Sequence, residues 1–150
     1  MKQLHFLLLV CCSMIFTNCD KESKNENKEY QLKGYIVGYD PCTINYIKGC
    51  GYIIISSDLR DTLLTYNLSG NNYNVLNAPI VFDSDTLYRI PKVHFNKDIP
   101  FFPVSLRFSY PIRITYRFAS EHERTYNLCS TDVLSLSFKE VITKSATKQF

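Results

Sequence analysis

The stretch Val104–Phe118, VSLRFSYPIRITYRF, alternates apolar and polar side chains over its whole length. Its even-numbered positions hold Val, Leu, Phe, Tyr and Ile, whereas its odd-numbered positions hold Ser, Arg, Pro and Thr. Because successive side chains of a strand point to opposite faces, this period of two predicts extended chain with one side on a core, and it excludes a helix. At about 3.3 Å per residue, such a strand would be roughly 50 Å long. We therefore expect it to bend or break at Pro111, which has no N–H to donate to a ladder.

Four further segments carry strand signals, because β-branched and aromatic residues dominate them and turn residues bound them. They are Gln31–Tyr39, Tyr52–Ser56, Thr62–Leu68 and Val133–Ile142. Gly34 and Gly38 predict a bulge or a close backbone approach in the first segment. The second and third segments are predicted to form a hairpin, with Tyr52–Ser56 as a central strand because it is apolar on both faces. Residues 144–150 are expected to be frayed.

The segment from Val75 to Pro103 loses this period, and four prolines interrupt it. Connections of this length are usually functional or disordered, and the many aromatic side chains here argue against disorder. We expect the segment to pack across the sheet, with a short helix or an extra strand around Leu87–Phe95. Within it, Asp83-Ser84-Asp85 predicts an exposed turn, since the Gly and the distal Glu of an EF-hand calcium loop are missing.

Three early strands, a long excursion and two late strands predict one all-β domain over residues 30–150. This element order is that of an oligonucleotide/oligosaccharide-binding (OB) barrel, here a small barrel of five to six strands, and it also suits a small β-sandwich. The strand count does not separate the two, because both need short alternating strands with turns between them. Abundant Tyr and Phe, scarce Gly and absent Trp agree with strands.

The N-terminal residues follow the order of a secretory signal: Lys2, an apolar run over Leu4–Phe16, and Cys19. The run is shorter than the roughly 20 apolar residues that span a bilayer. It resembles the signal of bacterial lipoproteins, which ends in a lipobox whose last residue is cysteine. The resemblance implies a signal peptide over residues 1–18. It also implies that Cys19 is the lipidated first residue of the mature chain and carries palmitate.

Residues 20–29, DKESKNENKE, hold acids and lysines and no apolar side chain. They cannot bury enough surface to offset their ordering entropy, so residues 19–29 are predicted to form a flexible charged tether. The start DKES resembles the export signal of Bacteroidota-type lipoproteins, which implies an anchor in the outer membrane facing outward; an ordinary solvated linker is the alternative. The segments GYDPCTINYIKGCGYIIISSDLRDTLLTYNL and YPIRITYRFA resemble small lipoproteins of this type, a likeness that implies no activity, cofactor or catalytic residue.

Three cysteines remain in the predicted mature domain: Cys42, Cys50 and Cys129. Export places them in an oxidising compartment, where we expect one disulfide and one thiol left over. A Cys42–Cys129 bridge closes the longer loop and stabilises more in the chain-entropy model, whereas a Cys42–Cys50 bridge clips a local loop. No CxxC pair is present, and His94 and His122 lie far apart in sequence, so no metal site is predicted.

No catalytic template matches, because the chain lacks a GxSxG elbow, an HExxH motif, a P-loop and a Gly-rich dinucleotide turn. His94 is predicted to be an ordinary polar-face or core histidine, and His122 a solvated loop residue. The formal net charge of +3 is weak, so nucleic-acid binding is not expected. No cofactor is implied.

The polar face of the opening stretch supplies the first binding candidates. Arg107, Arg113 and Arg117 can bind carboxylate, sulfate or phosphate through their planar forks. A solvated face paired with acids of a neighbouring strand is the alternative. The tripeptide Asp-Thr-Leu occurs twice, with Thr62 and Thr86 as its middle residues. It resembles the O-glycosylation site of Bacteroidota-type exported proteins. Both threonines are therefore glycosylation candidates, with unmodified threonines as the alternative.

We expect a cell-envelope module, anchored in the membrane by its N-terminal lipid, that recognises a glycan or a partner protein rather than catalysing a reaction. Two alternatives stay open: a surface hydrolase with its site in the 75–103 excursion, and a protein inhibitor that uses the loop Ile99–Pro103. Phe101 and Phe102 would anchor that loop, since buried aromatics dominate many interfaces. A deep polar pocket around His94 would favour the enzyme, a flat aromatic platform the glycan binder, and a protruding loop the inhibitor.

Overall fold

Strands dominate the computed structural model, which describes residues 28–41, 51–68, 79–95, 99–125 and 137–149. The strands are β1 (Tyr30–Tyr39), β2 (Tyr52–Ser56), β3 (Thr62–Thr65), β4 (Ile80–Phe82), β5 (Asp85–Tyr88), β6 (Pro111–Phe118) and β7 (Lys139–Lys148). Short 3-10 turns lie at Lys92–His94, Val104–Leu106 and Glu121–Glu123. Across these ranges, no helix has the length and apolar character needed to cross a bilayer. The predicted all-β class is confirmed.

Five of the strands close into a barrel in the order β1, β2, β3, β7, β6, and β6 pairs back onto β1. Every neighbouring pair in this barrel is antiparallel except β3 and β7, which run parallel. The barrel expectation is therefore confirmed, and the closed ring of strands excludes the sandwich alternative. As expected for a central strand, β2 lies between β1 and β3.

Strand β1 pairs with both β2 and β6, and it is bent by a bulge. Its register with β2 shifts between Ile36 and Gly38, so Val37 is an extra residue at a bulge. A bulge increases local twist and bends a strand, which suits closure of a small barrel. At Gly34, a Cβ atom would lie 2.1 Å from the carbonyl oxygen of Ile55, so the two backbones need a residue without a side chain. Both glycine predictions for this strand are confirmed.

The opening stretch is a strand only from Pro111 onward. Ile112 and Ile114 are fully buried and Tyr116 nearly so, and all three point into the barrel. Pro111 begins the strand, as the missing N–H predicts, and its carbonyl accepts a hydrogen bond from the Tyr88 hydroxyl.

The first half of that stretch corrects the sequence prediction. Val104–Leu106 form a 3-10 turn, and Val104 and Phe108 are 77% and 54% exposed rather than buried. The edge of β1 that they would need is already occupied, because the Tyr39 amide donates to Pro100 O at 2.9 Å and the Phe102 amide donates to Val37 O at 2.8 Å. A segment with alternating apolar and polar side chains does not form a strand where no neighbouring strand has a free edge for it to pair with.

The C-terminal prediction is also wrong in its boundaries. The predicted last strand ended at Ile142, with a frayed tail after it, whereas β7 continues to Lys148. The reason is β6, because Ile114 pairs with Ala146 and Ile112 pairs with Lys148. The predicted start of that strand, Val133, lies outside the described residues.

The described residues of the excursion between β3 and β6 share the buried core of the barrel. Strands β4 and β5 form a hairpin around Asp83 and Ser84, and five aromatic rings pack against one another beside it. The rings belong to Tyr39, Tyr88, Phe95, Phe102 and Tyr110. Because four of these residues also belong to the buried core, the described part of the excursion is packed against the barrel, as its aromatic content predicted.

Strand β3 ends at Thr65, earlier than the predicted Leu68. Beyond that point the Asn67 side chain makes the hydrogen bonds to β7. The side-chain Nδ2 of Asn67 donates to Thr143 O at 2.7 Å, and its Oδ1 accepts from the backbone amide of Thr143 at 3.0 Å. Asn67 Oδ1 also accepts from Thr65 Oγ1 at 2.7 Å. One side chain thereby satisfies both backbone groups of a β7 residue at the place where the parallel pair closes the barrel.

Candidate functional site

The three candidate arginines do not form one row. Arg113 lies on β6 with its side chain outward and exposed, opposite Lys33 of β1 on one side and Thr147 of β7 on the other. Arg107 lies in the exposed turn before β6. Arg117 is held by an ion pair near the end of β6. Arg113 and Arg117 both keep strand positions on β6, but Arg117 is bound to Glu123, so of these two only Arg113 stays a candidate for a binding face.

Arg113 and Lys33 bring two positive charges together. They are directly opposite in the antiparallel register, and both are exposed. Like charges in this position repel each other and destabilise the pair of strands. The ion pairs found within the described residues join Arg60 to Asp58 and Arg117 to Glu123, and neither involves Lys33 or Arg113. An anion bound between them would relieve the repulsion.

An aromatic pair lies beside these charges. Tyr35, two residues after Lys33, is the next outward position of β1, and the Phe108 ring lies 4.9 Å from it at 71°. Phe108 is 54% exposed, whereas Tyr35 is half-buried. Successive outward positions of a strand are roughly 7 Å apart, so charges and rings form one continuous area. We call this area, formed by Lys33, Tyr35, Phe108 and Arg113, the β1 surface.

Arg117 has a structural role instead. Its Nη1 donates to Glu123 Oε2 at 2.6 Å, and its Nη2 donates to Glu123 Oε1. Glu123 Oε2 also accepts from the Ser120 amide at 3.0 Å and from Ser120 Oγ at 2.8 Å. The Arg117 guanidinium, helped by the Ser120 backbone and side chain, holds the pKa of the Glu123 carboxyl well below its usual range. Arg117 is therefore paired with an acid, as in the alternative, but that acid lies in the turn after β6 rather than on a neighbouring strand.

The outer face of β1, β2 and β3 holds an apolar cluster that the sequence did not single out. Val37, Ile53 and Leu64 are buried there, and partly buried side chains surround them. Those side chains are Tyr35, Ile55, Tyr66 and Phe138. The available signal was the apolar run of β2, which already predicted burial on both faces. The partner Phe138 is remote in sequence, which is why the run did not reveal what packs on the second face.

The aromatic loop does not protrude. Pro100 and Phe102 are buried, and Phe101 forms an isolated bridge to Gly38. A Cβ atom on Gly38 would lie 2.1 Å from Pro100 O, so the loop rests directly on the β1 backbone. Phe102 enters the core, and Phe101 is 42% exposed, with its ring 6.3 Å from that of Phe138. Of the two predicted anchors, only Phe101 keeps exposed surface.

Neither His94 nor His122 lies in a polar pocket. His94 Nδ1 is 3.2 Å from the Tyr110 hydroxyl, and the groove that His94 lines has no carboxylate among its described lining residues. His122 is exposed in a short turn. The described ranges also hold no group of three or more His, Cys, Asp and Glu side chains suited to a metal ion. The Asp83–Ser84 turn is exposed, as predicted.

The remaining candidates have different positions. Thr62 is half-buried in β3 opposite Ile55, whereas Thr86 is exposed in β5. The cysteine predictions all fall outside the described residues; they concern Cys19, Cys42, Cys50 and Cys129. Comparison of the chain with protein-family models, with curated proteins and with solved structures gives no match.

Proposed function

We propose that this chain is a lipid-anchored binding module of the cell envelope that recognises an anionic glycan through the β1 surface. The observation that carries the proposal is the exposed Lys33–Arg113 pair, directly opposed across two strands and next to the half-buried Tyr35 and the exposed Phe108. Two like charges held together are costly unless a ligand of opposite charge joins them. The fold thus maintains an arrangement that an anion would stabilise.

The chemistry of the surface favours a sugar acid or sulfated sugar as that anion. The Arg113 fork matches a carboxylate or sulfate with two parallel hydrogen bonds, and the lysine adds a point charge. The Phe108 ring offers an apolar face on which the C–H side of a sugar ring can pack. A weak net charge of +3 gives little support to nucleic acid as the polymer.

The order of the strands supports a glycan as well. Counted among themselves, the barrel strands run 1-2-3-5-4, the first and fourth are paired, and the third and fifth are parallel. This is the order of an OB-like barrel, a fold that binds oligosaccharides and oligonucleotides on the face of its second and third strands and on nearby loops. The β1 surface lies on the first and fourth barrel strands, so the strand order supports the class of ligand and not this position.

The anchor is proposed from the N-terminal sequence. An apolar run followed by Cys19 and by a charged segment resembles the signal, lipidation site and tether of an outer-membrane lipoprotein. The described chain enters β1 at Tyr30, shortly after that segment. Incorporation of labelled palmitate in cells, lost in Cys19→Ala, is the expected result, and an unlabelled wild-type chain would contradict the anchor.

Binding to immobilised anionic polysaccharide tests the glycan proposal. We expect the wild-type domain to be retained on dextran sulfate and not on neutral dextran. The double variant Lys33→Gln/Arg113→Gln should bind at least tenfold more weakly, because hydrogen bonds to charged groups are each worth about 1.5–3 kcal/mol. Phe108→Ala should weaken binding without changing its dependence on salt, since the ring carries no charge.

The matched control is Arg60→Gln/Arg124→Gln, which removes the same charge from two other exposed positions. It should leave retention nearly unchanged. Equal loss in both double variants would mean that net charge alone drives binding, and unchanged retention of Lys33→Gln/Arg113→Gln would refute the β1 surface as the site.

A further inference from the structure

A concave site lies beside the aromatic loop, separate from the β1 surface. It is an open groove of about 390 Å³, within the range of small-molecule sites. The lining residues on which a ligand would depend are Val93, His94, Ile99, Phe101, Val104 and Arg107. The bridge between Phe101 and Gly38 places the groove near the C-terminal end of β1. The tether would enter at the opposite end of this strand, at Tyr30.

Exposed apolar side chains are concentrated around this groove. Val93, Val104 and Ile99 are 83%, 77% and 52% exposed, and Phe101 is 42% exposed. Of the seven large hydrophobic side chains exposed in the described ranges, these four line the one groove. Single exposed hydrophobic residues are ordinary, but a group around a concavity is typical of a ligand site.

The polar side chains of the groove all carry nitrogen donors. Arg107 is exposed at the groove, and neither of the two described ion pairs involves it. The His94 ring is oriented by the 3.2 Å contact between its Nδ1 and the Tyr110 hydroxyl. No acidic side chain lines the groove among the described residues. Apolar walls with a guanidinium and an imidazole therefore match a ligand with an apolar body and one negative head.

We propose that this groove binds a medium-chain monocarboxylate, with its alkyl chain against Val93, Ile99 and Val104 and its carboxylate on Arg107. Charge complementarity selects the carboxylate, because the guanidinium fork binds it with two hydrogen bonds. The alkyl chain covers the exposed apolar side chains and removes their surface from water. This ligand is a free acid in solution, and the site acts independently of glycan binding.

The proposal is tested by isothermal titration calorimetry, which measures the affinity of the domain for a homologous series of acids. Hexanoate, octanoate and decanoate should bind the wild-type domain with affinity that rises up to about fourfold per added methylene until the groove is filled. Decanol and decyltrimethylammonium, which have the same chain without the negative head, should bind at least tenfold more weakly than decanoate. Absence of a chain-length effect, or equal binding of the three decyl compounds, would overturn the proposal.

Two variants locate the site. Arg107→Gln should lose at least tenfold in affinity for decanoate and leave the weak binding of decanol unchanged. Val104→Asp should weaken both ligands, because it places a negative charge on the apolar wall. The control Arg124→Gln, an exposed arginine of another turn, should bind decanoate as the wild type does. Unchanged decanoate affinity in Arg107→Gln would contradict the assignment.

Amide chemical shifts of the wild-type domain give a readout that needs no variant. Decanoate should shift the amides of His94, Phe101 and Val104 and leave those of Lys33 and Arg113 in place. Shifts on the β1 surface instead, or binding seen only with anionic phospholipid vesicles, would overturn the groove as a site for a free acid. Lys33→Gln/Arg113→Gln should keep decanoate binding, so failure of the glycan proposal and failure of this one are distinguishable.

Discussion

Glu123 is a residue whose environment makes a pH dependence predictable. It accepts two hydrogen bonds from Arg117 and two from Ser120, which lower its pKa in the folded chain. A carboxyl with a depressed folded-state pKa stabilises the fold fully above its unfolded-state pKa, about 4.3. That contribution is lost as the pH falls through the folded-state pKa. We therefore expect the urea midpoints of wild type and Glu123→Gln to differ at pH 7 and to approach each other progressively as the pH falls below about 4.

The neighbouring Glu121 provides the matched control for that measurement. It lies in the same short turn and is exposed. Glu121→Gln should follow the wild-type pH profile, because it keeps the Arg117–Glu123 pair. A Glu123→Gln variant with the wild-type midpoint at every pH would show that the pair contributes nothing to the folded state, as many exposed pairs do.

Single residues differ in how visible their roles are in the sequence. Gly34, Gly38 and Pro111 were predictable, because a missing Cβ or a missing N–H restricts a backbone wherever it lies. Asn67 was not, because its role is to bond Thr143, a residue 76 positions later in the chain. The same holds for the Lys33–Arg113 pair, in which each member is an ordinary exposed residue until the register brings them opposite each other.

At the scale of elements, the β4–β5 hairpin is held by a turn with unfavourable residues. Asp83 and Ser84 have φ angles of 49° and 73°, so both central residues of this two-residue loop lie in the left-handed region. Type I′ turns need this geometry and favour Asn-Gly. Asp83→Asn/Ser84→Gly should raise the free energy of unfolding by about 0.5–1 kcal/mol, measured by urea denaturation.

Ser84→Val gives the opposite expectation at the same position. A β-branched side chain in the left-handed region is strained, so we expect this variant to lose about 1–3 kcal/mol. Equal stability of the Gly and Val variants would mean that the turn does not keep its positive φ angles in solution. Because Ile80, Leu87 and Tyr88 of the hairpin belong to the buried core, its stability should be read from the whole unfolding transition.

At the scale of the whole molecule, closure of the barrel depends on the last strand. The residues of β7 after Thr143 pair with β6 from Ile112 to Thr115, and the Lys148 ammonium lies 5.0 Å from the Tyr88 ring centre. A chain that ends at Thr143 leaves this part of β6 without its partner and opens the buried side of Ile112 and Ile114 to water. We expect that chain to lose its cooperative unfolding transition by circular dichroism.

A chain that ends at Lys148 is the control for this truncation. It keeps every β6–β7 pair and loses only the bond from the Gln149 amide to Pro111 O among the described contacts. It should unfold cooperatively near the wild-type midpoint. A folded chain ending at Thr143 would instead support the frayed tail that the sequence suggested.

The sequence by itself determined the all-β class, the hairpin of β2 and β3, and the strand that begins at Pro111. It could do so because side-chain alternation and turn chemistry depend on neighbours along the chain. Only the tertiary structure decided that the strands close into a barrel, that Val104–Leu106 are excluded from the sheet, and that β7 reaches Lys148. These outcomes depend on which strand edge is free and which remote segment occupies it, and local periodicity carries no information about either. The same reason separates the three arginines of one alternating face into a ligand candidate on the β1 surface, a groove residue and an ion-paired one.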